Sequence, residues 1–116
     1  MALKPITLEG DTFEIGYDRV LKSDAKKVVV MHGWGSNREL MKNAFEPYFS
    51  DFDRVYIDLP GFGQSTAPLA LTTQKYAEII KLFLQEIGFV PDVVIGHSFG
   101  GKVAALLDSK VLVLIA

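Results

Sequence analysis

A single serine stands among three glycines in the stretch VVIGHSFGGK, which covers residues 93–102. Its core, GHSFG, fits the G-x-S-x-G nucleophile elbow, in which a sharp strand-to-helix turn exposes a serine hydroxyl. Gly96 and Gly100 supply the positions without bulk that such a turn needs. The backbone N–H of Phe99, at the start of the helix, would point to where a tetrahedral oxyanion forms. The pattern predicts Ser98 as a nucleophile, although a serine at this position could instead cap the helix.

The same residues also come close to a phosphate-binding loop. Gly96, four further residues, Gly101 and Lys102 match G-x-x-x-x-G-K after a strand. The match fails at Val103, where a serine or threonine would hold Mg²⁺, and no apolar strand ending in aspartate follows. A serine–lysine pair of the S-x-x-K type fails as well, because Lys102 lies four residues after Ser98. A degenerate P-loop nucleotide binder is therefore the weaker alternative.

Strands and helices alternate along the chain, and this order predicts how the serine is positioned. A segment of alternating polarity with a turn at Gly10-Asp11 predicts an antiparallel hairpin over residues 5–21. Continuous apolar runs predict strands buried on both faces. These runs are KKVVVMHG, RVYIDLPG, DVVIG and VLVLIA. With helical segments between them, we expect an α/β fold, a mostly parallel sheet with helices on both faces.

Capping signals predict where the helices begin and end. Ser36 and Glu39 have the spacing of a capping box. The helix after them has apolar residues at helical period, namely Leu40, Met41, Ala44, Phe45 and Tyr48. Thr72 or Thr73 is predicted to cap the second helix, and Gly88 to end it. A third helix is expected over GGKVAALLD.

Two further loops follow buried strands, HGWGSN (residues 32–37) and DLPGFGQS (residues 58–65). Together with GHSFGG they resemble, in order and spacing, the N-terminal half of the α/β-hydrolase superfamily. The resemblance covers essentially the whole chain, which it identifies as the N-terminal part of a single domain over residues 1–116. Within this superfamily, the motifs look most like those of small esterases and of hydrolases that cleave C–C bonds in ring-fission products.

The resemblance implies a serine hydrolase mechanism. Ser98 would attack a carbonyl carbon, and the backbone N–H groups of Trp34 and Phe99 would hold the oxyanion. His32, Gly33, Gly96, His97 and Gly100 would shape the supporting turns. The implied substrate is a small carboxylic ester or a related carbonyl compound, with no metal and no cofactor.

Other polar residues of these motifs are expected to have structural roles. His32 belongs to the oxyanion loop, and the side chain of His97 is expected to point away from the serine, so neither is predicted to be the base. Asp58 is expected to anchor the Asp-Leu-Pro-Gly turn, with Gly61 and Gly63 serving its backbone.

The chain departs from the family after Ser98. The family's triad follows the order serine, acid, histidine. After Ser98 the sequence has one acid, Asp108, and no histidine, and it ends on the apolar run VLVLIA. The sequence therefore looks truncated after the sixth strand, and we expect these 116 residues alone to be inactive. The alternative is a non-catalytic fragment, or a binding or assembly module that pairs its exposed last strand with a partner or with a second copy of itself.

Composition limits the other function classes. The formal net charge is −2 and the basic residues are scattered, so no nucleic-acid partner is expected. The chain has no cysteine, which excludes disulfides and thiolate metal sites. We read no secretory signal and no bilayer-spanning run, and therefore expect a cytoplasmic protein with no membrane partner.

Overall fold

The computed structural model describes residues 2–116, which form one six-stranded sheet and three α-helices. In chain order the elements are β1 (Ala2–Leu8), β2 (Asp11–Val20), β3 (Lys27–Met31), α1 (Arg38–Phe45), β4 (Asp53–Ile57), α2 (Thr73–Glu86), β5 (Val93–His97), α3 (Phe99–Ala104) and β6 (Val111–Ile115), with a short 3-10 helix, Glu46–Tyr48, after α1. The strand order in the sheet is β1-β2-β4-β3-β5-β6. Strands β4, β3, β5 and β6 are parallel, and β1 and β2 are antiparallel additions at one edge. The predicted α/β architecture is confirmed.

The hairpin forms one residue earlier than the sequence suggested. Its two turn residues are Glu9 and Gly10, with φ of 52° and 84°, and Leu8 pairs with Asp11. Positive φ at both central positions is the geometry of a type I′ turn, whose twist matches that of the flanking strands. The predicted Gly10-Asp11 turn is therefore wrong by one position, because Asp11 already belongs to β2.

Alternation along the parallel strands separates two apolar layers. Val29 and Met31 of β3 belong to the larger core, which α2 and α3 cover. Val28 and Val30 face the opposite side, where Met41 of α1 packs on them. Helices thus cover both faces of the sheet, as predicted, and both layers support the ends of the parallel strands.

Helix α1 begins at a different cap from the predicted one. The N-cap is Asn37, whose side chain accepts a hydrogen bond from Leu40 N–H at 3.1 Å. The Ser36 N–H instead donates to the Gly33 carbonyl and closes a turn. The capping box at Ser36 is therefore wrong, because Asn37 competes for the same role and is an equally good cap. Of the apolar series predicted for this helix, Met41 is buried and Phe45 half-buried, whereas Leu40, Ala44 and Tyr48 are exposed.

Helix α2 follows the sequence closely. Thr72 is its N-cap and accepts from Lys75 N–H, and Gly88 follows its end with φ of 66°.

Strand β6 differs in environment from the other parallel strands, because Val111, Leu112, Val113 and Leu114 are exposed at the sheet edge. Among residues 2–116, no helix is long and apolar enough to cross a bilayer.

Candidate active site

Ser98 is the single residue between strand β5 and helix α3. Its φ of 54° and ψ of −116° lie in a region that residues other than glycine rarely adopt. Such strain costs about 1–3 kcal/mol and persists where the surroundings enforce it, often at active sites. The Ser98 side chain makes no capping hydrogen bond, and the residue is exposed. The helix-cap alternative is therefore wrong, and the strained turn instead presents the hydroxyl to solvent.

The glycines of the elbow are required by close backbone contacts. A Cβ atom at Gly96 would lie 2.6 Å from the Cα of Gly101. A Cβ at Gly100 would lie 2.6 Å from the Met31 carbonyl oxygen and would also overlap the His32 carbonyl oxygen. Helix α3 therefore begins directly against the backbone of β3 and β5, a position that no side chain could share.

The loop after β3 lies against the serine. A Cβ at Gly33 would lie 3.3 Å from the Ser98 Cβ. The next backbone N–H belongs to Trp34, and the first N–H of α3 belongs to Phe99. Neither of these two N–H groups donates a hydrogen bond to another group within residues 2–116. The fold thus brings the sequence-predicted residues together and leaves two donors unpaired beside an exposed hydroxyl.

Aromatic rings form one side of this site. The ring of Trp34 makes edge-to-face contacts with Phe62 at 4.8 Å and with Phe99 at 5.2 Å between centroids. Phe99 in turn contacts Tyr76 of α2 at 5.1 Å. Trp34 is 66% exposed although two rings hold it in place. A large apolar side chain fixed in this way can bind an apolar group of a ligand.

His32 is fully buried, and both of its ring nitrogens are engaged. Nδ1 lies 2.6 Å from the Gly33 carbonyl oxygen, and Nε2 accepts a hydrogen bond from Leu59 N–H at 2.9 Å. Burial lowers the pKa of His32 below its ordinary value, so the ring is neutral near pH 7. With no free nitrogen, His32 cannot act as the base, in agreement with the sequence-based expectation.

His97 is the other histidine of the chain and lies close to the elbow. A Cβ atom placed on Gly33 would lie 3.0 Å from the His97 Nδ1 and 3.3 Å from the Ser98 Cβ. Within the described part of the chain, no hydrogen bond joins the His97 ring to Ser98. His97 therefore neighbours the serine without being connected to it as a general base.

Asp58 anchors the loop after β4 from a fully buried position. Its Oδ1 accepts from Arg38 N–H at 2.7 Å, and its Oδ2 accepts from Gln64 N–H at 3.0 Å and from the Arg38 guanidinium. Arg38 also donates to Asp18 at 3.0 Å, and this carboxylate joins β2 to the same network. The Ser65 hydroxyl completes the loop by donating to the Asp58 carbonyl at 2.6 Å. Asp58 thus holds its turn, as expected, and also fixes the start of α1.

Comparison with known proteins identifies this arrangement. A sequence profile of the alpha/beta hydrolase fold matches residues 26–110. The chain belongs to the α/β-hydrolase fold family. Its mostly parallel sheet, covered by helices, is the one that the resemblance implied.

The relatives of this α/β-hydrolase chain are considerably longer. It is 38% identical over 84 residues to the dihydrolipoyllysine-residue acetyltransferase component of the acetoin cleaving system of Cupriavidus necator, covering 72% of this chain and 22% of that protein. A membrane phospholipase A, described as a bacterial virulence factor, has 26% identity and a TM-score of 0.77 over 90% of this chain and 34% of that one. A thermophilic esterase from Thermogutta terrifontis, at 22% identity, supports the fold alone, with a TM-score of 0.80 over 98% of this chain and 45% of that one. The chain therefore spans between about a fifth and a half of these proteins.

The α/β-hydrolase elbow leaves no room for the phosphate loop considered above. A P-loop needs several residues of free backbone between strand and helix to surround the phosphates. Here β5 continues to His97 and α3 begins at Phe99, so Gly96 and Gly101 lie inside regular elements. The nucleotide-binding alternative is therefore wrong on geometry.

Sequence reasoning missed the residues that connect the loops of the site. Arg38 was not singled out, yet it is buried between Asp18 and Asp58. The bond from Leu59 N–H to His32 was missed too, because its partners are 27 residues apart. The available signal in the sequence was weak. An arginine, Arg38, directly follows a capping residue, and an aspartate, Asp58, stands at the end of a predicted strand.

The two adjacent glycines of α3 give a matched test of the elbow. Gly100→Ala should destabilise the fold by about 1–3 kcal/mol or more, because its Cβ would overlap the backbone of β3. Gly101→Ala should change stability by less than about 1 kcal/mol, since its Cβ would meet Leu114 and the Gly96 carbonyl at 3.3 Å and alanine favours helix. Urea unfolding of both variants measures the difference. Equal stabilities would contradict the packing described here.

Proposed function

We propose that this chain carries the nucleophile and oxyanion hole of a serine hydrolase acting on a carboxylic ester or related carbonyl substrate. The observation that carries the proposal is the pair of unpaired N–H groups, from Trp34 and Phe99, beside the strained and exposed Ser98. Preorganised donors of this kind stabilise charge that develops on a carbonyl oxygen. The phospholipase among the structural relatives, at 26% identity, is consistent with ester chemistry.

The proposed reaction has two steps. The Ser98 oxygen attacks the carbonyl carbon, and the carbonyl electron pair moves onto the oxygen that accepts from the Trp34 and Phe99 N–H groups. Collapse of this intermediate expels the leaving alcohol, which takes up a proton, and leaves Ser98 acylated. Water then attacks the acyl group, which releases the carboxylic acid and restores the serine. The oxyanion hole serves both steps, and no metal or cofactor is needed.

The serine proton requires a base, which we place outside residues 2–116. His32 has both nitrogens engaged, and His97 makes no hydrogen bond to Ser98. We therefore assign the base and its carboxylate partner to parts of a longer protein, as in the family's usual order of serine, acid and histidine. This assignment accounts for an intact elbow without a triad.

The aromatic side of the site favours an apolar acyl group. The rings of Trp34, Phe62 and Phe99 contact one another on loops that adjoin the serine, and none of them carries a charge. We propose that the acyl part of the substrate lies against the Trp34 ring. The same nucleophile and oxyanion hole would also suit a carbonyl flanked by a breakable C–C bond.

Chemical rescue tests the proposal directly. With p-nitrophenyl butyrate and added 4-methylimidazole as an external base, Ser98 should become butyrylated, because general bases contribute about 10²–10⁴-fold to such steps. Intact-mass spectrometry and peptide mapping measure the adduct and its position. Ser98→Ala should abolish it, whereas Ser50→Ala, at an exposed serine outside the site, should not. Butyrylation spread over other residues but absent from Ser98 would refute the proposed nucleophile.

A further inference from the structure

The ring of His32 joins two loops of the site from a fully buried position. On one side its Nδ1 lies 2.6 Å from the carbonyl oxygen of Gly33, in the loop after β3. On the other side its Nε2 lies 2.9 Å from the backbone nitrogen of Leu59, in the loop after β4. The edge-to-face contact with Phe62, at 5.6 Å between centroids, packs the ring between these loops.

These two partners fix the tautomer of the ring. A backbone N–H can only donate, so Nε2 must carry the lone pair that accepts from Leu59. A carbonyl oxygen can only accept, so Nδ1 must carry the proton that is donated to Gly33. The structure therefore requires neutral His32 with its proton on Nδ1, and a doubly protonated ring would lose the Leu59 bond.

The Gly33 carbonyl belongs to the same peptide unit as the Trp34 N–H. In a planar trans peptide these two groups point in opposite directions, and residues 2–116 contain no cis peptide bond. A bond that holds the carbonyl toward His32 therefore directs the Trp34 N–H away from His32. This N–H is one of the two beside the elbow that have no hydrogen-bond partner within residues 2–116.

We propose that His32 is a positioning residue that holds the Gly33–Trp34 peptide so that the Trp34 N–H serves the oxyanion hole. The inference deepens the proposed function and rests on it for the role of that N–H. His32 does not contact the substrate in this scheme. It acts through the orientation of one peptide group.

Glycine at position 33 makes this orientation vulnerable. Gly33 is needed because a Cβ there would crowd the Ser98 Cβ and the His97 ring, at 3.3 and 3.0 Å. Because Gly33 has no side chain, however, the adjoining peptide rotates more freely than it would next to any other residue. The site therefore combines a close approach to the serine with a weak backbone restraint, and His32 supplies the missing restraint.

A second donor, the Ser36 N–H, also reaches the Gly33 carbonyl at 3.1 Å. That bond closes a turn whose middle residues, Trp34 and Gly35, are both exposed to solvent. Water competes with such a bond, whereas the His32 bond is shielded within the protein. The shorter, buried bond is therefore the one expected to dominate the orientation.

The charged surroundings do not replace this role. The charged group that acts on the His32 ring is Asp58, and its carboxylate is itself paired with buried Arg38. Gly100 packs on the backbone of His32 from α3 and brings no charge. The ring is thus kept neutral by its burial, which lowers its pKa, and the Leu59 N–H engages the lone pair of its Nε2.

Two amide variants separate the two bonds of the ring. The side-chain nitrogen of His32→Asn can occupy the place of Nδ1 and donate to Gly33, but the side chain is too short to reach Leu59. The side-chain oxygen of His32→Gln can occupy the place of Nε2 and accept from Leu59, but leaves the Gly33 carbonyl without its buried donor. A residue that only anchored the Leu59 loop would tolerate Gln and not Asn.

Nuclear magnetic resonance of the isotope-labelled 116-residue chain tests the proposal without any chemistry at Ser98. In the wild type, ring ¹⁵N shifts should show a protonated Nδ1 and an unprotonated Nε2. The residual dipolar coupling of the Trp34 N–H, which reports the direction of that bond, should be retained in His32→Asn and changed in His32→Gln. Couplings of β3 and β4 amides confirm that each variant is folded.

A ring protonated on Nε2 would overturn the proposal even if neither variant folds. An unchanged Trp34 coupling in His32→Gln would also overturn it, since the Ser36 bond would then suffice. Under the chemical rescue described above, His32→Gln should acylate Ser98 about 10²–10³-fold more slowly, the loss expected for one oxyanion donor, and His32→Asn should restore most of that rate. If the wild-type chain shows no acylation while the couplings behave as stated, the proposed function fails and the positioning of the peptide stands.

Discussion

Without an added base, the 116-residue chain should hydrolyse p-nitrophenyl butyrate no faster than its Ser98→Ala variant. A serine hydroxyl is a weak nucleophile unless a neighbouring group takes its proton. Loss of the histidine lowers turnover by about 10⁶ in a comparable triad, and the rest of the site supplies only binding and the oxyanion hole. Release of p-nitrophenol at saturating ester, measured for both proteins, gives the comparison.

His97 provides the sharpest control for this prediction. It is the histidine next to the elbow. Its Nδ1 and the Ser98 Cβ both lie close to the position that a Cβ on Gly33 would occupy. Hydrolysis that exceeds the Ser98→Ala background and disappears in His97→Ala would show that His97 is a base, against the assignment made here. Hydrolysis that persists in His97→Ala but not in Ser98→Ala would point to a base of another kind.

The turn that carries Ser98 could be predicted from the sequence because it is local. A strand, one serine and a helix occur within a dozen residues, and the glycines required by close backbone contacts are part of the same motif. The order of buried runs likewise predicted the parallel sheet, since a run buried on both faces has little alternative to a central strand.

The supporting contacts could not be predicted, because they depend on tertiary distances. Arg38 and Asp58 are separated by 20 residues, and nothing in their local sequence distinguishes them from a solvated pair. The cap of α1 was misassigned for a related reason, since Ser36 and Asn37 are both good caps and only the turn at Gly33 decides between them. The position of the hairpin turn depended on backbone φ values at Glu9 and Gly10.

Asp58→Asn should destabilise the chain by about 3–5 kcal/mol, the typical cost of breaking a buried ion pair from one side. The reason is more specific than the lost charge. Both carboxylate oxygens accept from donors: Oδ1 from Arg38 N–H, and Oδ2 from Gln64 N–H and the Arg38 guanidinium. An amide of the same size must turn its NH₂ toward one of these donors, whichever way it is placed.

Urea unfolding with Lys75→Ala as the control measures this effect, because Lys75 pairs with Glu9 at the exposed surface and its loss should matter far less.

The effect of Asp58→Asn should extend to the serine site. Arg38 begins α1 directly after the loop that carries Trp34, and Asp58 begins the loop whose Leu59 N–H holds His32. The pair therefore fixes both supports of the oxyanion loop at once, and Asp58→Asn should slow Ser98 acylation even in the fraction that stays folded. A variant as stable as the wild type would mean that Asp18 alone satisfies Arg38, and that the two loops are held together by the His32 ring.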